Sequence, residues 1–324
     1  MDTATDRPAV PAEGVVFAFA GQASQYAGMG EGLAAQSPLF DAEWRRIRAR
    51  LWADLPGGPD ADLAATDVRR TYREIFAVQW ALARTLMAAG LQPDAVIGVS
   101  MGEMCAAAVA QLLPEADAVE LVTTQARQIH QQCEAGGMLA VLGRPATALA
   151  EIAPEPQCGV ALISRRHFVL GGDAAGLRRI SRELGQRQVA SFMLPVDRGF
   201  HSPAIDPAAG GLRGAGRYRA GSGLAFASCT AGDVTAGPLA AGHMWSAIRD
   251  PIRFVAAARA LSRGRQLTWI DLGPGASVST LLAHNRIAAA EVQTLLGSRP
   301  AERLPERLPR RRPERTGTAR AAGA

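Results

Sequence analysis

Apolar positions along this chain form short unbroken runs separated by longer stripes at helical spacing, an order that predicts an α/β protein. The run "VVFAFA" over residues 15–20 is closed by the glycine turn "GQASQ", the pattern of a strand buried on both faces. Residues 71–90, "TYREIFAVQWALARTLMAAG", repeat apolar side chains at helical spacing and end on glycine, a common helix stop. Next comes "PDAVIGVSMGEMCAAAVAQLLP", which predicts a strand at 95–98, a tight turn at Ser100 and a helix ending before Pro114. Residues 115–133 predict a further helix. From Met138 the segments "MLAVLG", "PATALAEIAP", "CGVALIS", "HFVLGG", "AAGLRRISRELGQR" and "VASFMLPV" read as strand, helix, strand, strand, helix, strand, a ferredoxin-like pattern. Apolar segments "LAFASCT" and "LTWIDLGPG" and the helix "FVAAARALSRG" follow. The expected division is a flexible N-terminus over 1–14, a large α/β domain over 15–137 and 204–298, a ferredoxin-like small domain inserted over 138–203, and a disordered Arg/Pro-rich tail over 299–324.

Composition narrows the class. A chain of 324 residues that is 48% hydrophobic can bury a sizeable core. No apolar run is long enough to span a bilayer, and the first residues lack the basic start and apolar centre of a secretory signal, so a cytoplasmic protein without membrane attachment is expected. Cys105, Cys133, Cys158 and Cys229 are scattered, which predicts reduced thiols and no metal site. All 35 basic residues are arginine; with the richness in Ala, Gly and Pro, this points to GC-rich codon use more than to arginine chemistry. The net charge of +5 resides in the tail, where eight arginines face three glutamates, and the body before it is neutral. No nucleic-acid-binding motif accompanies that charge, so no nucleic-acid partner is expected.

Gly98-Val99-Ser100-Met101-Gly102 fits G-x-S-x-G, in which small neighbours let a serine sit on a strained strand-to-helix turn, as in α/β-hydrolase-like domains. The following helix would aim its first free N–H groups near that hydroxyl. Such a serine is either a nucleophile or an ordinary turn residue, and a nucleophile needs a base. Of the five histidines, His130 falls in a predicted helix and His167 in the inserted domain, where a structural role is the simpler reading. His201, in "VDRGFHSPAID", sits where the small domain rejoins the large one, at a plausible cleft.

"FAGQASQYAGMG", "GVSMGE", "GGMLAV", "GFHSP", "IRDPIRF" and "DLGPG" follow one another in the order seen in the malonyl-CoA:acyl carrier protein transacylase family, which includes acyltransferase domains of polyketide synthases. The resemblance covers about residues 15–296. It implies Ser100 as nucleophile and His201 as its base, a Ser-His dyad in a ping-pong reaction, with the backbone N–H groups of Gln22 and Met101 as oxyanion hole. It also implies a backbone carbonyl at Ala247 that orients the histidine. Two departures concern the substrate. Val99 stands where the family has histidine, and Phe200, after Arg198 and Gly199, resembles the malonyl-type side of the selectivity motif. The family's malonyl users hold the free carboxylate with an arginine on the helix after the nucleophile, and that position is Gln125 here. Arg127 lies about 200° around the helix and is a poor substitute; Arg198, Arg165 and Arg166 are the other candidates for compensation.

An amide offers a carboxylate neutral hydrogen bonds of roughly half the strength of a guanidinium's. The resemblance together with Gln125 therefore implies an acyltransferase for groups without a free carboxylate, of starter, aminoacyl or peptidyl type. The donor would be acyl-CoA or an acyl carrier and the acceptor an acyl carrier protein, in polyketide biosynthesis. No cofactor is expected, the phosphopantetheine being part of the substrate, and a chain without attached synthase domains would act in trans. A malonyl transacylase, a proofreading acyl-carrier hydrolase and a degenerate carrier-binding module are the alternatives.

Overall fold

The computed structural model describes residues 10–143, 152, 155–297 and 304. Its first half contains β1 (Glu13–Phe19), α1 (Glu31–Gln36), α2 (Pro38–Leu51), α3 (Val68–Ala88), β2 (Ala95–Gly98), α4 (Gly102–Val109) and α5 (Glu115–Gln132). There follow β3 (Gly136–Leu142), β4 (Gly159–Ile163), β5 (His167–Asp173), α6 (Ala174–Gln186) and β6 (Ser191–Met193). The last part holds α7 (Ala209–Leu212), β7 (Ala225–Ser228), β8 (Asp233–Thr235), α8 (His243–Arg249), α9 (Phe254–Ser262), β9 (Gln266–Asp271), α10 (Ser277–Asn285) and β10 (Glu291–Thr294). The fold is α/β.

Six strands form one sheet in the order β10-β9-β1-β2-β7-β8, parallel except for β8. β1 and β2 are central and their side chains are buried on both faces, which is why their sequences read as continuous apolar runs. Such sheets open their ligand crevice at the carboxyl ends of the strands, where the turns after Phe19 and Gly98 lie side by side. α3 begins at Val68, earlier than the apolar stripe suggests, because the Asp67 side chain accepts a hydrogen bond from the Arg69 N–H and caps it. The helix stops as predicted at Gly90, whose φ of 93° suits a left-handed cap.

Four antiparallel strands form a second sheet in the order β4-β5-β3-β6. Period-two alternation divides it cleanly. Leu139, Val141, Phe168 and Leu170 pack on one side against Leu177, Ile180 and Leu184 of α6. The first helix predicted for this segment, over 145–154, falls almost entirely outside the described residues, as do most of 1–14 and 299–324. Among the described residues no helix is long and apolar enough to cross a membrane.

The backbone is tightly crowded behind the serine turn. A Cβ added at Gly98 would lie 2.2 Å from the Glu103 nitrogen and 2.3 Å from the Gly102 carbonyl carbon, while Gly185 near the end of α6 has nothing within 4 Å. Gly98→Ala is expected to lower unfolding free energy by about 2–4 kcal/mol. Gly185→Ala should leave it unchanged or raise it by up to about 1 kcal/mol. Urea denaturation of the two variants beside the parent measures both.

Candidate active site

Ser100 occupies the turn between β2 and α4 with φ of 55°, a left-handed conformation that non-glycine residues seldom adopt. Glycines on either side allow it: a side chain at Gly98 would strike α4, and one at Gly102 would strike the Phe19 carbonyl at 2.5 Å. Ser100 Oγ lies 2.8 Å from His201 Nε2. His201 also has positive φ, at 58°. Its own N–H donates to the Ile248 carbonyl at 2.9 Å, and Nδ1 lies 2.7 Å from the Asp250 carbonyl oxygen.

That last contact decides the tautomer. A carbonyl can only accept, so Nδ1 carries the proton and Nε2 presents its lone pair to Ser100, as a general base requires. It also corrects the expectation for Ala247. Helix α8 runs through Ala247 and Ile248, so the Ala247 carbonyl is aligned with the helix axis. Asp250 is extended, φ −88° and ψ 161°, and turns its carbonyl out to the ring. The Asp250-Pro251 dipeptide was the available signal, because a residue before proline is driven out of helical conformation. Full burial pulls the His201 pKa from 6.5 down to about 4, with the Asp250 hydrogen bond opposing the shift.

The turn after β1 faces the serine. Gln79 of α3 holds it from behind, accepting from the Ala20 N–H at 2.6 Å and donating to the Ala20 carbonyl at 3.1 Å. The Gln22 side chain donates to Thr71 Oγ1 at 2.6 Å. The backbone N–H groups of Gln22 and Met101 have no acceptor among the described residues, and Met101 is the N-cap residue of α4. Both belong to the turns that meet at Ser100, where the helix dipole favours developing negative charge.

A cavity of about 390 Å³ opens over these residues, between the two sheets. Ser100, His201, Gln22, Val99 and Phe200 all line it. Its far wall is the second face of the four-stranded sheet, with Met138, Ala140, Leu142, Leu162, Val169 and Phe192. Phe200 is fixed by stacking on Tyr72, with ring centroids 5.9 Å apart. Among the lining residues the three histidines, His167, His201 and His284, are the only titratable side chains; no arginine or carboxylate is present.

Gln125 and Arg198 do not line the cavity. The Gln125 side chain is fully buried and donates to the Met244 carbonyl at 3.1 Å. Arg198 turns to the end of α5, donating to the carbonyls of Ile129 and His130 and pairing with Asp197 at 3.0 Å. Arg165 and Arg166 also lie outside the lining. Conversely, His167 and His284, their rings 5.7 Å apart, reach the cavity although the sequence offered no reason to single them out. They come from separate elements, β5 and α10. Among the described residues no group of three or more His, Cys, Asp or Glu side chains is arranged to hold a metal ion.

Residues 16–303 match the family described as the acyl transferase domain. This chain belongs to that family. Among curated members, the polyketide biosynthesis protein ThaF of Burkholderia thailandensis is 36% identical over 299 residues, covering 86% of this chain. This chain spans only 25% of ThaF, but 94% of BaeD of Bacillus velezensis, a polyketide biosynthesis acyltransferase homolog that is 29% identical over 93% of this chain. Among solved acyl transferase structures, a loading acyltransferase from the avermectin modular polyketide synthase superposes with a TM-score of 0.77 at 26% identity, covering 88% of this chain and 94% of that one. The acyltransferase domain from the second module of the salinomycin polyketide synthase gives 0.77 at 26% identity, over 89% of this chain and 70% of its own.

Within this acyl transferase, the low pKa of His201 has two consequences. A reaction that uses neutral His201 as its base should hold level as pH falls through 6.5 and decline only near pH 4, because the buried imidazole stays neutral until then. Stability moves with opposite occupancy. Between pH 6.5 and about 4 the unfolded chain binds a proton that the folded one refuses, so unfolding free energy falls as pH falls through that window. Ester-burst rates and urea titrations across pH 4–7 check the two.

Proposed function

We propose that this chain transfers an acyl group without a free carboxylate from CoA or a carrier protein onto an acyl carrier protein, in polyketide biosynthesis. The supporting observation is the charge of the cavity: a wall of aliphatic and aromatic side chains with no arginine to meet a carboxylate. A malonyl group seated there would meet imidazoles and neutral donors in place of a guanidinium, and a carboxylate buried without a fixed positive partner costs several kcal/mol. The names of the relatives, polyketide biosynthesis proteins and a loading acyltransferase, point to the same setting. Starter, aminoacyl and peptidyl groups all satisfy the charge criterion.

Ser100 Oγ attacks the thioester carbonyl while His201 Nε2 takes its proton. The N–H groups of Gln22 and Met101 receive the oxyanion. As the tetrahedral adduct collapses, the carbon–sulfur bond breaks and His201 returns the proton to the departing thiolate, leaving an ester on Ser100. A carrier phosphopantetheine thiol then attacks that ester, again deprotonated by His201, and Ser100 is regenerated. Phosphopantetheine is thus substrate, and the chain needs no cofactor of its own. In the same reading the six-stranded sheet with its helices forms an α/β-hydrolase-like body over 15–137 and 204–298. A ferredoxin-like unit over 138–203 roofs the cavity, and Gln125 acts on selectivity by withholding a charge from behind the wall.

Incubating the protein with a mixture of acetyl-, hexanoyl- and malonyl-CoA, then weighing the intact chain, tests this directly. Monocarboxylic acyl groups should accumulate on the parent and not on Ser100→Ala, with malonyl loading about 100-fold slower. Equal malonyl loading would overturn the substrate assignment, and release of free acid without loading of an added carrier protein would favour a hydrolase.

A further inference from the structure

Ser100 and His201 are brought to 2.8 Å by elements far apart in sequence, and a largely buried side-chain pair joins α4 to α8, the helix that holds His201. Glu103 sits in the first turn of α4, three residues after the serine, and is almost completely buried. Its Oε1 accepts from the Thr230 N–H at 2.9 Å and the Thr230 hydroxyl at 3.1 Å. Its Oε2 accepts from the Ser228 hydroxyl at 3.4 Å and from His243 Nε2 at 2.6 Å. His243 is the first residue of α8, the helix whose far end supplies the Ile248 and Asp250 carbonyls to His201.

The contacts therefore close a ring: Ser100, α4, Glu103, His243, α8, Asp250, His201 and back to Ser100. We propose that Glu103 and His243 are positioning residues that set the register of α8 against α4, and thereby hold the Asp250 carbonyl where it keeps His201 aimed at Ser100. Three further contacts make α8 a strut that transmits this register. The Met244 N–H donates to the Tyr218 hydroxyl at 3.3 Å and the Met244 carbonyl accepts from Gln125 at 3.1 Å. At the other end Arg249 forks onto Asp206, at 2.5 and 3.0 Å, just after His201 in the chain. The His243 ring is seated edge-on against Phe226 of β7, with centroids 5.9 Å apart, so it cannot swing away without opening the core. Glu103 has no arginine partner among the described residues, and His243 is the cation-capable group it meets. The motif "GVSMGE" gains a function for its last letter: the glutamate links the nucleophile to its base by the long way round.

This inference rests on the Ser100-His201 dyad, and the experiment separates the two. Acylation by p-nitrophenyl hexanoate is followed by nitrophenolate release and intact mass, with melting curves for every variant. His243→Ala should lower the acylation rate constant about 10- to 100-fold with KM unchanged. His243→Gln, which keeps an N–H at similar reach, should stay within about threefold of the parent. In a His201→Ala background, His243→Ala should change the residual rate by less than about twofold, since its effect passes through His201. If His243→Ala does not fold, Glu103→Gln carries the same prediction with a smaller loss, about 3- to 10-fold. A parent-like rate in the folded variants, an effect on KM alone, or an equal loss in the His201→Ala background overturns the strut. Acylation that survives in Ser100→Ala overturns the dyad instead.

Discussion

His201 is engaged at both ring nitrogens, and the chemistry of the site depends on the order of those two contacts. The Asp250 carbonyl accepts from Nδ1, which leaves Nε2 as an acceptor facing the Ser100 hydroxyl. A carboxylate in place of that carbonyl would favour the imidazolium; a neutral carbonyl orients the ring while burial keeps it uncharged. The arrangement holds only if three backbone segments converge: the turn after β2, the chain entering the 3-10 turn at Pro203–Ala208, and the end of α8. Ser100 and His201 both pay for that convergence with left-handed backbone, a strain of about 1–3 kcal/mol each that only a well-packed surrounding can sustain.

The apolar wall of the cavity arises from a different device, the alternation of the small sheet. One face of β3 and β5 packs on α6 as an ordinary core, and the residues between them form a second face that lines the cavity. That face meets the turns of the large sheet and encloses the cavity. Arginine and carboxylate are missing from the whole lining, so their absence is a property of the wall and not of one residue. Gln125 illustrates the point: its amide is committed to the Met244 carbonyl, and the nearby guanidinium of Arg198 is committed to the end of α5. Neither is available to a substrate carboxylate without breaking buried contacts.

Much of this was legible in the chain itself. Continuous apolar runs identified β1 and β2 because a central parallel strand has no polar face, and the glycines around Ser100 marked a turn too tight for side chains. The helix α2 was less visible, since arginines interrupt its apolar stripe, although Ser37 and Pro38 carry a cap signal at its start. The strands β8 and β10 are short and polar at the sheet edges, where periodicity has little to report.

Sequence alone determined the local chemistry, a serine on a tight glycine-flanked elbow and a candidate histidine, each written in residue type and spacing, while the amide at Gln125 in place of a guanidinium is what the resemblance to the family implies. What only the tertiary structure decided is which groups meet. Asp250, not Ala247, orients His201, because the end of a helix and a following proline set where a carbonyl points. His167 and His284 share a cavity, and Glu103 meets His243 across 140 positions of chain, because sheet order and helix packing bring distant segments together. Neighbours in a helix or strand follow from backbone periodicity, whereas contacts between elements depend on how whole surfaces pack, and no local pattern encodes that.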